Sequence, residues 1–149
     1  MKLIENINLK ETKNYRNMIE KIKDDFGSTK IMRSDDIYDP EVVFYLNNMR
    51  SDESGYAHFM QEHPDGTSDY VCFNTHELDH GARWIAKNKN VEALGIVLPA
   101  TCEVNGFLKE KEKGNIKIIE GGKKFVTSYK FGYLDKKKTK EVKNLINRR

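Results

Sequence analysis

Two histidines four residues apart form the most conspicuous chemical pattern in the chain, in the segment 76–80 with the sequence HELDH. On a helix, histidines at this spacing share a face and can bind Zn²⁺ while the glutamate activates water. Gly81 follows at once and is a poor residue for continuing a helix, and no histidine beyond His80 offers a third ligand. We therefore expect no metal and no cofactor, and a zinc hydrolase using His76 and His80 remains an alternative.

A histidine, an arginine and the only tryptophan lie within five residues, as His80, Arg83 and Trp84. An indole face can stack on the apolar C–H face of a pyranose, and Arg and His donate hydrogen bonds to its hydroxyls. These residue types suit sugar recognition. The residues alone favour the alternative, in which Trp84 anchors a core and Arg83 pairs with a nearby carboxylate.

Glu103 is the carboxylate best placed for general-base chemistry, because it follows an apolar run whose end would face the mouth of a pocket. The alternative is an exposed loop carboxylate paired with Lys109, Lys111 or Lys113, which would contribute little to stability. Cys102 has no obvious cation beside it, so a quiet thiol is expected there.

The elements that must position these residues begin with a helix. One apolar stripe at helical period predicts a helix over about residues 10–26, and Gly27 is suited to end it. The stripe consists of Tyr15, Met18, Ile19, Ile22 and Phe26.

Short β-branched and aromatic runs bounded by turn residues follow the helix and predict strands. Pro64, Asp65 and Gly66 form the turn of an antiparallel hairpin. The predicted strands cover residues 41–46, 55–63, 69–74, 93–98, 115–119 and 124–134, and a closing helix covers 136–147. The run 93–98 is nearly all apolar and predicts a central strand ended by Pro99, and alternation in 124–134 places aromatic side chains on one face.

This order predicts a mainly β protein, an antiparallel β-sandwich with a helix at each end. We expect an N-terminal helix and loop over residues 1–40, a β-sandwich domain over 41–135 and a basic C-terminal helix over 136–149. If the strands do not close on themselves, one apolar face stays open and needs a partner.

Charge is unevenly distributed along the 149 residues. The net charge is +3, but residues 135–149 carry +5 and leave −2 for the rest. A nucleic-acid groove would spread basic residues over a folded face with stacking aromatics, and this tail contains no aromatic residue, so no nucleic-acid partner is expected. The sequence has no apolar run long enough to span a membrane and no secretory core at its start, so we expect a cytoplasmic protein without a membrane partner.

The stretch from about Glu41 to Asp135 resembles the C-terminal half of aldose 1-epimerase-like proteins, which have the galactose mutarotase-like fold. The matching elements, in order, are Glu41–Tyr45, His63–Gly66, Leu78-x-His80-x-x-Arg83-Trp84, Leu94-Gly95, Pro99–Cys102, Gly106, Glu110 or Glu112, Gly114, the Glu120–Gly122 turn and Gly132–Asp135. The resemblance implies a β-supersandwich that binds a sugar in a cleft. It also implies that one acid and one base open the sugar ring and so interconvert the anomers.

Carried onto this chain, the resemblance implies His80 as the acid/base residue and Glu103 as a substitute base, with Arg83, Trp84 and Asn74 binding the sugar or sugar phosphate. Two departures qualify this. The position of the family's base, immediately before the proline, is occupied by Leu98. The family's N-terminal half, which completes the sandwich, is replaced here by residues 1–40, so the chain looks truncated or split.

Two further hypotheses follow from these departures. A non-catalytic remnant or oligomerising interaction module would expose an apolar sheet face that a second copy or another chain covers. The zinc hydrolase is the third hypothesis. The leading hypothesis remains a mutarotase-like carbohydrate-active or carbohydrate-binding protein.

Overall fold

The computed structural model describes residues 2–4 and 13–148, and the predicted helical residues 10–12 lie outside this range. The described chain is mainly β, with a helix near each end, which confirms the predicted fold class at that level. The strands are β1 (Lys2–Ile4), β2 (Tyr38–Asn47), β3 (Tyr56–Glu62), β4 (Ser68–Asn74), β5 (His80–Lys87), β6 (Glu92–Leu94), β7 (Leu98–Ala100) and β8 (Tyr129–Leu134). The helices are α1 (Lys13–Asp24), α2 (Phe107–Glu112) and α3 (Lys136–Asn147), with a 3-10 helix at Phe26–Lys30.

The chain divides into two compact units. The first contains residues 1–45 and 83–95, and the second contains residues 46–82 and 96–149. Both units contain residues from the predicted domain 41–135, and β2 and β5 contribute residues to both. No described helix is long and apolar enough to cross a lipid bilayer.

The first unit is built on the amphipathic face of α1. Three members of the predicted stripe, Tyr15, Ile19 and Ile22, are buried and pack with Phe44 and Ile85 of the strands. The helix ends at Asp24, and the carboxylate of Asp25 accepts a hydrogen bond from the Gly27 amide inside the following 3-10 helix. The helix therefore ends two residues before the predicted end at Phe26, and Gly27 lies in the 3-10 helix instead of ending α1.

The second unit contains a three-stranded antiparallel sheet in the order β3-β4-β8. Its hairpin matches the predicted one, and the register pairs Phe59 with Val71 and Val71 with Phe131. One face of the sheet packs in a cluster formed by Phe73, Leu78 and Val97. The other face carries α3, where the buried hydroxyls of Ser68 and Thr139 are hydrogen-bonded at 2.9 Å. The predicted C-terminal helix is confirmed.

The predicted central strand 93–98 is wrong, because this run divides into the separate strands β6 and β7. Leu94 packs in the core of the first unit, and Val97 packs in the core of the second. Pro99 does not end a strand. It lies inside β7, where it pairs with Gly81 of β5.

The predicted strand 115–119 is also wrong, and the last strand is shorter than predicted, beginning at Tyr129 instead of Lys124. The register explains the shortening. Phe73 pairs with Tyr129, and β4 ends one residue later at Asn74, so the residues before Ser128 have no β4 backbone beside them. Instead, the Glu77 carboxylate accepts hydrogen bonds from the Thr127 hydroxyl and the Ser128 amide.

Candidate functional site

The residues that resemblance assigned to a sugar cleft are distributed over both units. Asn74, His80 and Glu103 belong to the second unit, and Arg83 and Trp84 belong to the first. Asn74, His80, Arg83 and Glu103 each have hydrogen-bond partners, which indicate what these side chains do in the fold, and the Trp84 side chain is half-buried.

The Arg83 side chain donates hydrogen bonds to backbone carbonyls of the first unit. Its Nη2 donates to the Thr29 carbonyl at 2.7 Å and its Nε donates to the Gly95 carbonyl at 3.2 Å. Burial lowers the pKa of the guanidinium, and the charge of Tyr38 partly opposes that shift. These two carbonyl groups occupy N–H donors of Arg83 that a sugar hydroxyl would otherwise accept from. Arg83 links the 3-10 helix to Gly95, which follows the end of β6. Both hydrogen bonds go to backbone carbonyls, and neither goes to the nearby carboxylate that the alternative interpretation of Arg83 expected.

Residues 76–79 form a turn, and His80 is the first residue of β5. The two histidines of the HELDH segment therefore do not share a helical face, which removes the geometry that a zinc hydrolase of this type needs. Among the described residues, no group of three His, Cys, Asp or Glu side chains is placed to hold a metal ion.

His80 and Asn74 have partners close to them in sequence. The Nδ1 of His80 lies 2.8 Å from the Asp79 carboxylate, and Asn74 accepts a hydrogen bond from the His76 amide at 2.9 Å. Burial opposes ionisation of Asp79, but the hydrogen bond from His80 and the charge of Lys117 outweigh it, so the pKa of Asp79 lies below its usual value. The acid–base role of His80 stays a prediction.

Glu103 belongs to a network of two carboxylates in the second unit. It accepts hydrogen bonds from Asn47 at 2.8 Å and from Asn105 at 3.0 Å, and it is paired with Lys113. The hydrogen bond from Lys113 is the main reason that the pKa of Glu103 is lowered, although burial opposes it. A lowered pKa makes a carboxylate a weaker base, so these contacts favour a structural role. Leu98, at the family's base position, is 63% exposed.

Glu110 of α2 is the second carboxylate of this network. The family resemblance includes Glu110 or Glu112 as a matching element, but the sequence patterns did not identify Glu110 as a candidate site residue. Its side chain is buried and accepts hydrogen bonds from Asn115 at 2.7 Å, from Asn105 at 3.2 Å and from the Glu103 amide at 3.0 Å. The Asn115 bond is the largest cause of its low pKa, about 2, and burial opposes the shift. The signal available in the sequence was the pair of asparagines, Asn105 and Asn115, on either side of Glu110.

We expect Glu110→Gln to lower stability at neutral pH by several degrees in the melting temperature, because the new amide meets donors where the carboxylate accepted. The folded pKa is about 2 and the ordinary value is 4.5. The stabilisation is therefore complete above pH 4.5 and is lost as the pH falls toward 2. Melting curves of both proteins between pH 7 and pH 2 should converge at low pH. The control is Glu112→Gln, on the exposed face of the same helix. A gap that stays constant with pH would contradict the assignment.

A second chain of hydrogen bonds links Asp52, His58 and Tyr70 on the side of the β3–β4 hairpin that faces α3. The Nε2 of His58 lies 2.9 Å from the Asp52 carboxylate and its Nδ1 lies 2.7 Å from the Tyr70 hydroxyl. The His58 bond is the main reason that the pKa of Asp52 is lowered to about 2. With Nε2 donating to Asp52, neutral His58 accepts the Tyr70 proton at Nδ1, so the chain fixes the ring across the two strands.

One exposed apolar feature of the second unit is a row of three rings on β8, which we call the aromatic strip: Tyr129, Phe131 and Tyr133. They are 54%, 75% and 64% exposed. Their side chains lie on one face because alternate residues of a strand point the same way. The ring centres of Tyr129 and Phe131 are 5.9 Å apart. Exposed apolar groups of this size mark interaction sites.

Polar side chains lie at one end of the strip and form what we call the polar corner: Gln61, His63 and Asp69. The register places Tyr133 beside Asp69 and Asp69 beside Gln61 on the same face. The Nε2 of His63 lies 3.2 Å from the Asp69 carboxylate, and the His63 ring lies parallel to that of Tyr133 with ring centres 6.4 Å apart. The imidazole of His63 and the carboxylate of Asp69 therefore lie beside Tyr133, the last ring of the strip, and Gln61 lies one strand further on the same face.

Comparisons of the chain with protein-family models, with curated proteins and with solved structures found no match. The functional argument therefore rests on the chemistry of the described residues.

Proposed function

We propose that this chain is a carbohydrate-binding protein whose ligand lies on the aromatic strip of β8. The exposure of Tyr129, Phe131 and Tyr133 in one row carries the proposal. Phe73 lies on the same face of the neighbouring strand β4 and is fully buried. This face of the sheet is therefore part of the core at β4 and exposed to solvent at β8. Ring faces of this kind stack on the C–H faces of sugars.

The polar corner supplies hydrogen-bonding groups that can orient a sugar on the strip. A sugar hydroxyl both donates and accepts hydrogen bonds, and Asp69 accepts while His63 and Gln61 can do either. The side chain of Asp69 is 51% exposed and that of His63 is 32% exposed, so both can reach a ligand. Since Asp69 would repel a phosphate, a neutral sugar is favoured over a sugar phosphate.

The length of the strip indicates the size of the ligand. Tyr129 and Tyr133 are four residues apart in an extended strand, which corresponds to roughly 13–14 Å. More than one hexose ring can lie along this distance, so the proposed ligand is an oligosaccharide. A mutarotase-like sandwich and the acid–base role of His80 remain the finer part of the proposal, supported by the sequence resemblance. The resemblance also offers Glu103 as the base, but its lowered pKa makes it a weak one.

Phe131→Ala is expected to weaken oligosaccharide binding by about tenfold, equivalent to about 1.4 kcal/mol, because it removes the central ring of the strip. The measurement is saturation-transfer NMR with hexamers of β-1,4-glucose, α-1,4-glucose, β-1,4-xylose and β-1,4-N-acetylglucosamine. The matched control is Leu108→Ala, which removes an exposed apolar side chain from α2 and should leave binding unchanged.

A Trp84→Ala variant separates this site from the predicted cleft. Unchanged binding in Trp84→Ala and weakened binding in Phe131→Ala supports the strip. The reverse pattern, or no binding of any hexamer by the wild-type chain, contradicts it. NMR exchange between the α and β anomers of free aldoses, measured in the presence of the wild-type chain, tests the acid–base roles separately.

A further inference from the structure

The outer edge of β8 is the feature that leads beyond ligand binding. β8 is the last strand of the sheet β3-β4-β8 and pairs only with β4 among the described strands. Its six residues pair with β4 in continuous register from Tyr129 to Leu134. Its opposite edge therefore presents backbone N–H and C=O groups that no strand of the described residues pairs with.

Edge strands are usually protected against pairing by charges, proline or a bulge. β8 contains no proline, its register with β4 is unbroken, and Lys130 is its only charged residue. An edge of this composition is a template for another strand. We propose that a second copy of this chain pairs with it, β8 against β8 in antiparallel orientation about a two-fold axis at Phe131.

The side chains of β8 are complementary to themselves in this register. With Phe131 on the axis, Tyr129 lies opposite Tyr133 of the second copy, and Phe131 lies opposite its counterpart. All three positions of the strip then face an aromatic ring, an arrangement that stabilises antiparallel pairs. An axis at Lys130 would instead oppose two lysines, which is unfavourable.

Gly132 completes the match on the other face of the sheet. In the proposed register, Lys130 of each copy lies opposite Gly132 of the other. A Cβ atom placed on Gly132 would meet no other atom within 4 Å, so the space above it is open to the lysine side chain. The only charged residue of the strand thus meets a residue without a side chain.

The pairing would join two three-stranded sheets into one sheet of six strands. Isologous contact through a single patch is the commonest form of association. The faces of the aromatic rings remain accessible, since edge pairing adds strands beside the sheet and does not cover its face. The strips of the two copies would then lie side by side as two adjacent rows of rings on one face of the sheet.

Sedimentation velocity of the full chain without carbohydrate tests the pairing, so its outcome is independent of the proposed ligand. Stable protein–protein interfaces bury roughly 1,200–2,000 Å². We expect the pairing of two edge strands to bury less and the dimer to dissociate on dilution, so the protein concentrations should extend to about 0.5 mM. We expect the mass to rise from 17.3 kDa toward twice that value with concentration. A wild-type chain that stays monomeric throughout would overturn the proposal.

Charge pairs at residue 131 test the register. Phe131→Lys and Phe131→Glu should each be monomeric, because like charges meet on the axis, and both should keep the wild-type circular dichroism because Phe131 is exposed. Mixing the two variants should restore the dimer. Leu108→Lys makes the same charge change on α2 and should dimerise as the wild type does. Dimers in either single variant, or no recovery in the mixture, would overturn pairing about Phe131.

Discussion

Phe73→Ala is expected to lower the free energy of unfolding by about 3–5 kcal/mol, the usual cost of removing a buried aromatic ring. Phe73 is fully buried in the second unit, and its ring lies parallel to that of Phe59 with centres 5.7 Å apart. It also packs in the cluster with Leu78 and Val97. The loss would leave a cavity between the sheet and these residues. Urea unfolding followed by circular dichroism gives the measurement.

Phe131→Ala provides the matched control because it makes the same chemical change on the same face of the same sheet. Phe131 is 75% exposed, so its removal should change stability by less than about 0.5 kcal/mol. Stability should be measured at low concentration, where the proposed dimer is dissociated. Equal losses in the two variants would show that the strip is part of a packed core, which would contradict both the binding and the pairing proposals.

The fold class could be predicted from the sequence because the period of apolar residues decides it. The stripe of α1 repeats at helical spacing, and its members Tyr15, Ile19 and Ile22 are buried. The hairpin turn at Pro64–Gly66 fixed the positions of β3 and β4 within one residue. Alternation in the last strand predicted an aromatic face, and the structure shows that this face is exposed at Tyr129, Phe131 and Tyr133.

The errors arose where tertiary pairing overrides local pattern. Residues 115–119 have the composition of a strand, but a strand requires a partner backbone, and no described strand pairs with this part of the chain. The run 93–98 reads as one apolar strand, yet its two halves pack in different cores. Neither the lack of a partner strand for 115–119 nor the packing of 93–98 in two cores can be recognised from a few neighbouring residues.

The candidate site shows the same division. Sequence patterns selected His80, Arg83 and Glu103 by chemical type, and the structure gives each of them local hydrogen-bond partners that account for it. The polar corner could not be found in this way, because Gln61, His63 and Asp69 become neighbours of Tyr133 only through the register of three strands. A site formed across a sheet requires that register to be known.

Gly95→Ala is expected to destabilise the first unit by about 2–3 kcal/mol, the range found when a packed site is overfilled. A Cβ atom on Gly95 would lie 2.7 Å from the carbonyl oxygen of Trp84 and 3.3 Å from its amide nitrogen. Both contacts are with backbone, so no side-chain rotation can relieve them. The chain must move away from Trp84, and two hydrogen bonds are then strained: Gly95 N–H to the Trp84 carbonyl at 2.8 Å and Arg83 Nε to the Gly95 carbonyl at 3.2 Å.

Trp84 makes this effect measurable in one unit, because it is the only tryptophan in the chain. In Gly95→Ala, the fluorescence of Trp84 should report unfolding at lower urea concentration than in the wild type. Gly121→Ala is the control, since a Cβ atom there meets nothing within 4 Å and the substitution reduces the freedom of the unfolded chain. It should be neutral or slightly stabilising. If Gly95→Ala unfolds at the wild-type urea concentration, the close approach of Gly95 to the Trp84 backbone is wrong.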